Sequence, residues 1–165
     1  MATAISTCSY RLLGTGISDD AATFRRESFV SAADDVIVTR IESSRPGALA
    51  FEVWLDSPQP GEWIGEGDAA LGYRGRNFGE HGVEGRLRFG IGVDLRLEGG
   101  HAERRGRRLV VRGATAAVLV VDIATSFRRF DDVSGDPEAI LARRRASVAG
   151  KDYAALRAAH VAEHR

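Results

Sequence analysis

One segment constrains the fold of this chain more than any other. In Arg86–Leu97, Leu87, Phe89, Ile91, Val93, Leu95 and Leu97 alternate with Arg86, Arg88, Gly90, Gly92, Asp94 and Arg96. A helix would scatter these six apolar side chains around its circumference, whereas a strand places all six on one side. The segment therefore predicts a strand with one buried face, and a second layer to bury it.

Neighbouring segments repeat the pattern. Ile5–Leu13, Thr23–Ser31 and Val36–Ile41 are predicted strands, separated by turn chemistry at Gly14-Thr15-Gly16, Asp19-Asp20 and Asp34-Asp35. After Arg45-Pro46-Gly47, the segment Ala48–Leu55 puts Leu49, Phe51, Val53 and Leu55 on one face. Gly99-Gly100 and Arg104–Gly106 read as turns, with Leu109–Arg112 a short strand. Ala116–Phe127 carries apolar residues at both parities (Val118, Leu119, Val120, Val121, Ile123), which predicts a central strand covered on both faces. Short strands joined by Gly-rich turns predict a mostly β fold, an antiparallel β-sandwich over residues 1–134.

The periodicity changes at Asp136-Pro137-Glu138. Asp caps a helix N-terminus, Pro fits the first turn, and Glu favours the positive end of the helix dipole. A helix to about Val148 is predicted, broken at Gly150, and Asp152 caps a second with Tyr153, Leu156, His160 and His164 near one stripe. Residues 135–165 are thus expected to be a helical linker. The chain opens almost directly in a strand, and the second helix stops without a C-cap, so a longer natural protein is expected.

Composition narrows the function classes. The 165 residues include 23 Lys+Arg and 23 Asp+Glu, so no net field favours nucleic acid or an anionic membrane. Lys151 is the only lysine, and the arginines alternate with acids along the chain. Cys8 is alone, which excludes an intrachain disulfide. No stretch reaches the ~18 apolar residues of a membrane span, and Met1–Ser9 has neither a basic leader nor an apolar h-region, so no secretory signal is expected.

The least regular stretch, Pro58–Glu84, is read as a long loop, and loops of such length within a compact domain are usually functional or disordered. It holds the candidate sugar contacts: Arg76, Asn77, Glu80 and His81, with Trp63 and Tyr73 as stacking platforms. Saccharides need planar polar groups for their hydroxyls and aromatic faces for their C–H surfaces, and this stretch supplies both. Polar residues that merely satisfy a surface loop's own backbone are the competing reading. Glu80 with Glu84, or Asp131 with Asp132, would be the carboxylate pairs to offer for glycoside hydrolysis, which needs two acids ~5–9.5 Å apart. Asp131-Asp132 reads instead as a turn, and no catalytic residue is assigned. His160 and His164 have the i, i+4 spacing of a metal pair but lack a third ligand, so a packed helix face is expected, with no metal and no cofactor.

The order of segments carries a resemblance. The run from Phe24 to Ile41, then Arg45–Phe51, Leu55–Pro58, Gly85–Phe89, Gly99-Gly100, Ala124–Arg129, Asp136-Pro137-Glu138 and Tyr153–Val161, resembles the N-terminal domain of glycoside hydrolase family 95. The resemblance implies a supersandwich, galactose-mutarotase-like, followed by a helical linker into an (α/α)6 barrel as intramolecular partner. It implies an α-L-fucosidase acting with inversion on terminal α-L-fucosides of a fucosylated glycan, with every catalytic residue in the barrel. This chain has neither that barrel nor the family's opening strands, so it is expected to be a structural or pocket-supporting piece of such an enzyme. Gly90 and Gly92 depart from the family, where larger side chains are common; they permit close packing or weaken the strand. The alternative reading is a stand-alone carbohydrate-binding or interaction sandwich.

Overall fold

A computed structural model describes residues 7–12, 22–65 and 67–163. The expected turn at Gly14–Asp20 and the stripe residue His164 lie outside these residues. The strands, in chain order, are β1 (Thr7–Leu12), β2 (Phe24–Ser31), β3 (Val36–Ser43), β4 (Leu49–Asp56), β5 (Gly61–Gly65), β6 (Ala70–Arg76), β7 (Arg88–Glu98), β8 (His101–Arg105), β9 (Arg108–Ala114) and β10 (Ala116–Thr125). Two helices follow, α1 (Pro137–Val148) and α2 (Tyr153–Glu163). The strands form two antiparallel sheets, of order β1-β4-β9-β8 and β2-β3-β10-β7-β6-β5. The fold is the mostly β sandwich that the alternation predicts.

The two faces of the larger sheet explain the sequence pattern. Phe89, Ile91, Val93 and Leu95 of β7 point inward and meet Phe51, Val53, Leu109 and Val111 of the smaller sheet. β10 pairs with β3 on one side and β7 on the other. Its Ala117, Leu119 and Val121 enter the inner core. Its Val118 and Val120 face the other way, joining Val36, Val38, Val148 and Leu156 in a second core beneath the helices. Apolar residues at both parities therefore mark a strand with a layer on each side. The helices are that third layer.

α1 lies across β7 and β10 because β7 has no side chain to hold it off at two positions. A β-carbon on Gly90 would come within 2.7 Å of Leu141 Cδ1. A β-carbon on Gly92 would collide with the Asp122 carboxylate and the Arg145 guanidinium. The glycines serve close packing. Asp136 caps α1, its Oδ1 accepting from Ala139 N at 3.1 Å. At the other end Arg96 donates to the carbonyls of Val148 and Lys151, so a cation meets the negative end of the helix dipole. Lys151 in turn donates to buried Asp34, which also accepts from Ser31 Oγ at 3.0 Å. α2 is held over β2 by Arg157, which pairs with Glu27 at 2.8 Å, and by His160, stacked on Phe29 at 4.8 Å.

Two expectations need correction. Pro58–Glu84 is not one irregular loop, because β5 and β6 form a hairpin within it and β6 pairs with β7. Leu71 and Tyr73 point inward as alternation requires, but Gly72 and Gly75 give the segment the composition of a loop. A β-carbon on Gly75 would strike the ring of Phe89. Arg104-Arg105 are likewise strand rather than turn, ending β8 as it pairs with β9. β8 is an exposed edge strand with only Ala102 against the core, so it carries no apolar alternation to read.

Candidate functional site

The polar residues singled out after β6 are organised by a narrow hairpin between β6 and β7. Asn77 pins its base: Oδ1 accepts from Leu87 N at 2.9 Å, and Nδ2 donates to the Phe78 carbonyl at 3.0 Å. Glu80 and Val83 pair across the hairpin, leaving His81 and Gly82 at the tip with φ of 52° and 79°. Two successive positive φ angles are the signature of a type I′ turn, whose twist matches that of the flanking strands. Arg76 pairs with Glu84 at 2.9 Å, both side chains largely exposed. His81 is exposed at the tip.

The aromatic residues sit on the neighbouring strands, and Gln59 links them to the hairpin by accepting from Phe78 N at 2.7 Å. Trp63 on β5 and Tyr73 on β6 are cross-strand partners with ring centroids 4.9 Å apart, edge to face. Tyr73 is only 6% exposed and also lies against Phe89. Its hydroxyl donates to the Gln59 carbonyl at 2.8 Å, and burial raises its pKa above the usual phenol value. Trp63 is half-buried at the core's edge, with the Arg107 guanidinium 5.4 Å from its ring centre. The structure thus joins Trp63 to Tyr73, and Arg76 and Asn77 to the hairpin base. Neither of the concave regions described below is lined by Arg76, Asn77 or His81.

A second hairpin, which sequence reasoning read only as a turn, stands beside the first. Arg88 and Ser126 bond reciprocally where β7 begins and β10 ends, Arg88 N to Ser126 Oγ and Ser126 N to the Arg88 carbonyl, at 2.9 and 2.8 Å. Beyond that junction Arg129 and Asp132 exchange backbone hydrogen bonds, with Phe130 and Asp131 at the tip. Phe130 is 93% exposed. The signal for it in the sequence is an aromatic residue at the centre of a turn flanked by charges.

The concave regions are modest. One cavity of about 140 Å³ lies between α1 and the outer face of β5–β7, lined by Ile64, Gly72, Arg74, Leu141 and Arg145. A more open groove of about 260 Å³ crosses the far end of the larger sheet over Arg25, Arg40, Glu42 and Glu98. Its charges are mutually paired: Arg40 reaches Glu98 at 2.6 Å and Glu42 at 3.1 Å, and Arg25 reaches Glu42 at 3.4 Å. At its margin Arg157 and Tyr153 hold the Glu27 carboxyl below its ordinary pKa. Asp122, under α1, is the exception to this pattern, since burial pushes its carboxyl upward although Arg145 Nε lies 3.8 Å away. Among the described residues, no three His, Cys, Asp or Glu side chains gather as a metal site. No helix among them is long and apolar enough to cross a membrane.

Comparison with known proteins gives this architecture a context. The family described as glycosyl hydrolase family 65, N-terminal domain, matches residues 1–129. No sequence among the curated proteins matches the chain. Among solved structures, a protein assigned as a kojibiose phosphorylase, from the human microbiome, matches with a TM-score of 0.61 at 10% identity. That match covers 93% of this chain and 22% of the other, so the chain spans about a fifth of the length of its structural neighbour. The family matched is 65, whereas the quoted segments resemble family 95. Those segments are strand, turn and cap motifs, which report the sandwich and not the sugar. An N-terminal sandwich of a glycoside hydrolase stands; the α-L-fucosidase family is not the one that matches.

Proposed function

The chain belongs to the glycosyl hydrolase family 65 N-terminal domain family, and we propose from that premise that it serves as the non-catalytic sandwich of a carbohydrate-cleaving enzyme. In that reading it supports a separate catalytic barrel and braces one side of its pocket. The observation that carries the reading is the state of the acids. The carboxylates lining the groove are each paired with arginine; on the two hairpins Glu84, Asp131 and Asp132 have arginine partners of their own, and Glu80 stands exposed to solvent. Glycoside cleavage needs an acid and a second carboxylate or an attacking phosphate on opposite sides of one bond. Solvated or ion-paired groups on exposed hairpins do not supply that environment.

The neighbour's name makes kojibiose, with inorganic phosphate as acceptor, the first substrate for the whole enzyme. A terminal α-L-fucoside, implied by the likeness to family 95, is the second. The isolated chain should cleave neither kojibiose, with or without phosphate, nor a chromogenic α-L-fucoside. Turnover by the purified chain, abolished by substituting one of its own carboxylates, would refute the non-catalytic role. The carbohydrate-binding alternative rests on Arg76, Asn77 and His81 around the first hairpin, with Trp63 and Tyr73 at the core's edge. Calorimetric binding of a saccharide, lost in both Arg76→Ala and His81→Ala with the fold intact, would favour it.

A further inference from the structure

We propose that the hairpin at Phe130 is a self-association surface, and that its partner is a second copy of this chain. The argument begins with exposure. Phe130 is 93% and Phe127 57% exposed, and on the adjoining hairpin Phe78 and Val83 are 51% and 71% exposed. Both hairpins leave the same end of the larger sheet and are joined at their bases through Arg88 and Ser126. Neither tip is a loose loop: each is closed by a pair of backbone hydrogen bonds, between Glu80 and Val83 and between Arg129 and Asp132. Isolated apolar residues on a surface need no explanation, but a cluster on rigid supports marks an interaction site.

The sequence around Phe130 identifies the partner. From Phe127 to Val133 it runs Phe, Arg, Arg, Phe, Asp, Asp, Val. About Phe130 the apolar pattern is symmetric and the charge pattern is antisymmetric. A two-fold axis through Phe130 therefore sets Phe130 against its equivalent. It sets Arg129 against the second copy's acid at position 131, Arg128 against the acid at position 132, and Phe127 against the valine at position 133. The hairpin presents its bases on one limb and its acids on the other, so the same rotation lays each basic limb over an acidic one. An isologous contact requires such self-complementarity, residue i meeting j and j meeting i. Within one copy the same charges already pair, Arg129 with Asp131 at 2.9 Å and Arg128 with Asp132 at 3.9 Å. These are solvated pairs of small individual worth, and association extends them into one network instead of stranding a charge.

Size sets the expected strength. The exposed apolar surface of the two hairpins is on the order of 400 Å², against roughly 800 Å² per partner in a standard stable interface. The dimer should accordingly be weak and reversible.

Sedimentation velocity over a concentration series tests the proposal. The wild-type chain should shift from monomer to dimer with rising concentration. Phe130→Ser should weaken association at least ~10-fold, as expected for a central aromatic anchor. Arg129→Asp and Asp131→Arg should each be monomeric alone, because each faces like charges across the axis. An equimolar mixture of the two should regain a dimer, since the two reversed charges then face each other across the axis. Melting curves matching wild type would establish that every variant folds. A wild-type chain that stays monomeric up to its solubility limit overturns the proposal. So does a dimer indifferent to Phe130→Ser, or a mixture of folded charge variants that fails to associate.

Discussion

Gly90 and Leu141 occupy one space: a β-carbon on the strand residue would sit 2.7 Å from Cδ1 of the helix residue. Leu141 is buried against β7, so it cannot swing away from the strand without giving up that burial. Gly90→Ala should therefore destabilise the fold by about 1–3 kcal/mol, the usual cost of overpacking. Combining it with Leu141→Ala should cost less than the sum of the two single changes, because the contact that clashes has been removed. Urea melts of the three variants supply the cycle, and additive costs would mean that the helix does not rest on this strand.

Asp34 joins the turn after β2 to the segment between the helices. It is 5% exposed and accepts from Ser31 Oγ and Lys151 Nζ. Removing one partner of a buried pair leaves the other uncompensated, but Lys151 keeps 38% of its side-chain exposure and can turn to water. Asp34→Ala should cost about 2 kcal/mol on that account, and hydrogen exchange should show α1 and α2 opening before the inner sandwich. Uniform loss of protection across both cores would contradict this order.

Asp122 gives the fold a pH dependence of unusual sign for a carboxylate. Burial raises its folded pKa above the ordinary value of 3.8, outweighing the attraction of Arg145. The folded state therefore holds this proton more tightly than the unfolded chain does. The stability linked to it is fully present below the ordinary value and is lost as pH rises through the raised one. Asp122→Asn removes the step. Thermal melts across that range should move in favour of the variant as pH rises. A difference between wild type and variant that stays constant with pH would show that Asp122 titrates normally.

Much of this was legible in the residues. Alternation in β7 named its buried face, and double-parity burial in β10 announced a third layer. Asp136 and Asp152 marked both helix starts, their carboxylates accepting from Ala139 and Ala155. β5 and β6 were hidden because Gly72 and Gly75 stand where side chains would have shown the period. β8 was hidden because an edge strand against solvent needs no apolar face. The candidate sugar contacts were less readable for a related reason. Tyr73 is an open stacking platform only if its segment is a loop; once that segment is a hairpin in the sheet, Tyr73 faces the core while Trp63 stays half-buried at its edge. Phe130 was missed because a turn is identified by Asp and Gly, while exposure depends on what lies around it.

The first hairpin offers a direct test of its turn geometry. His81 and Gly82 both require positive φ. Gly82→Ala should cost about 1 kcal/mol by forcing a β-carbon into that region, whereas His81→Asn should be neutral or slightly stabilising. Differential scanning calorimetry would resolve the two directions. A tolerated alanine at residue 82 would mean that the turn is not type I′.

Lys151 is the chain's only lysine, and it is the residue that latches the helical layer to Asp34. Reagents that acylate primary amines thus find one side chain in this sequence, apart from the α-amino group, and it lies at a structural joint. Its rate of labelling reads out how often the latch opens, and each adduct that forms cancels the charge needed to close it again.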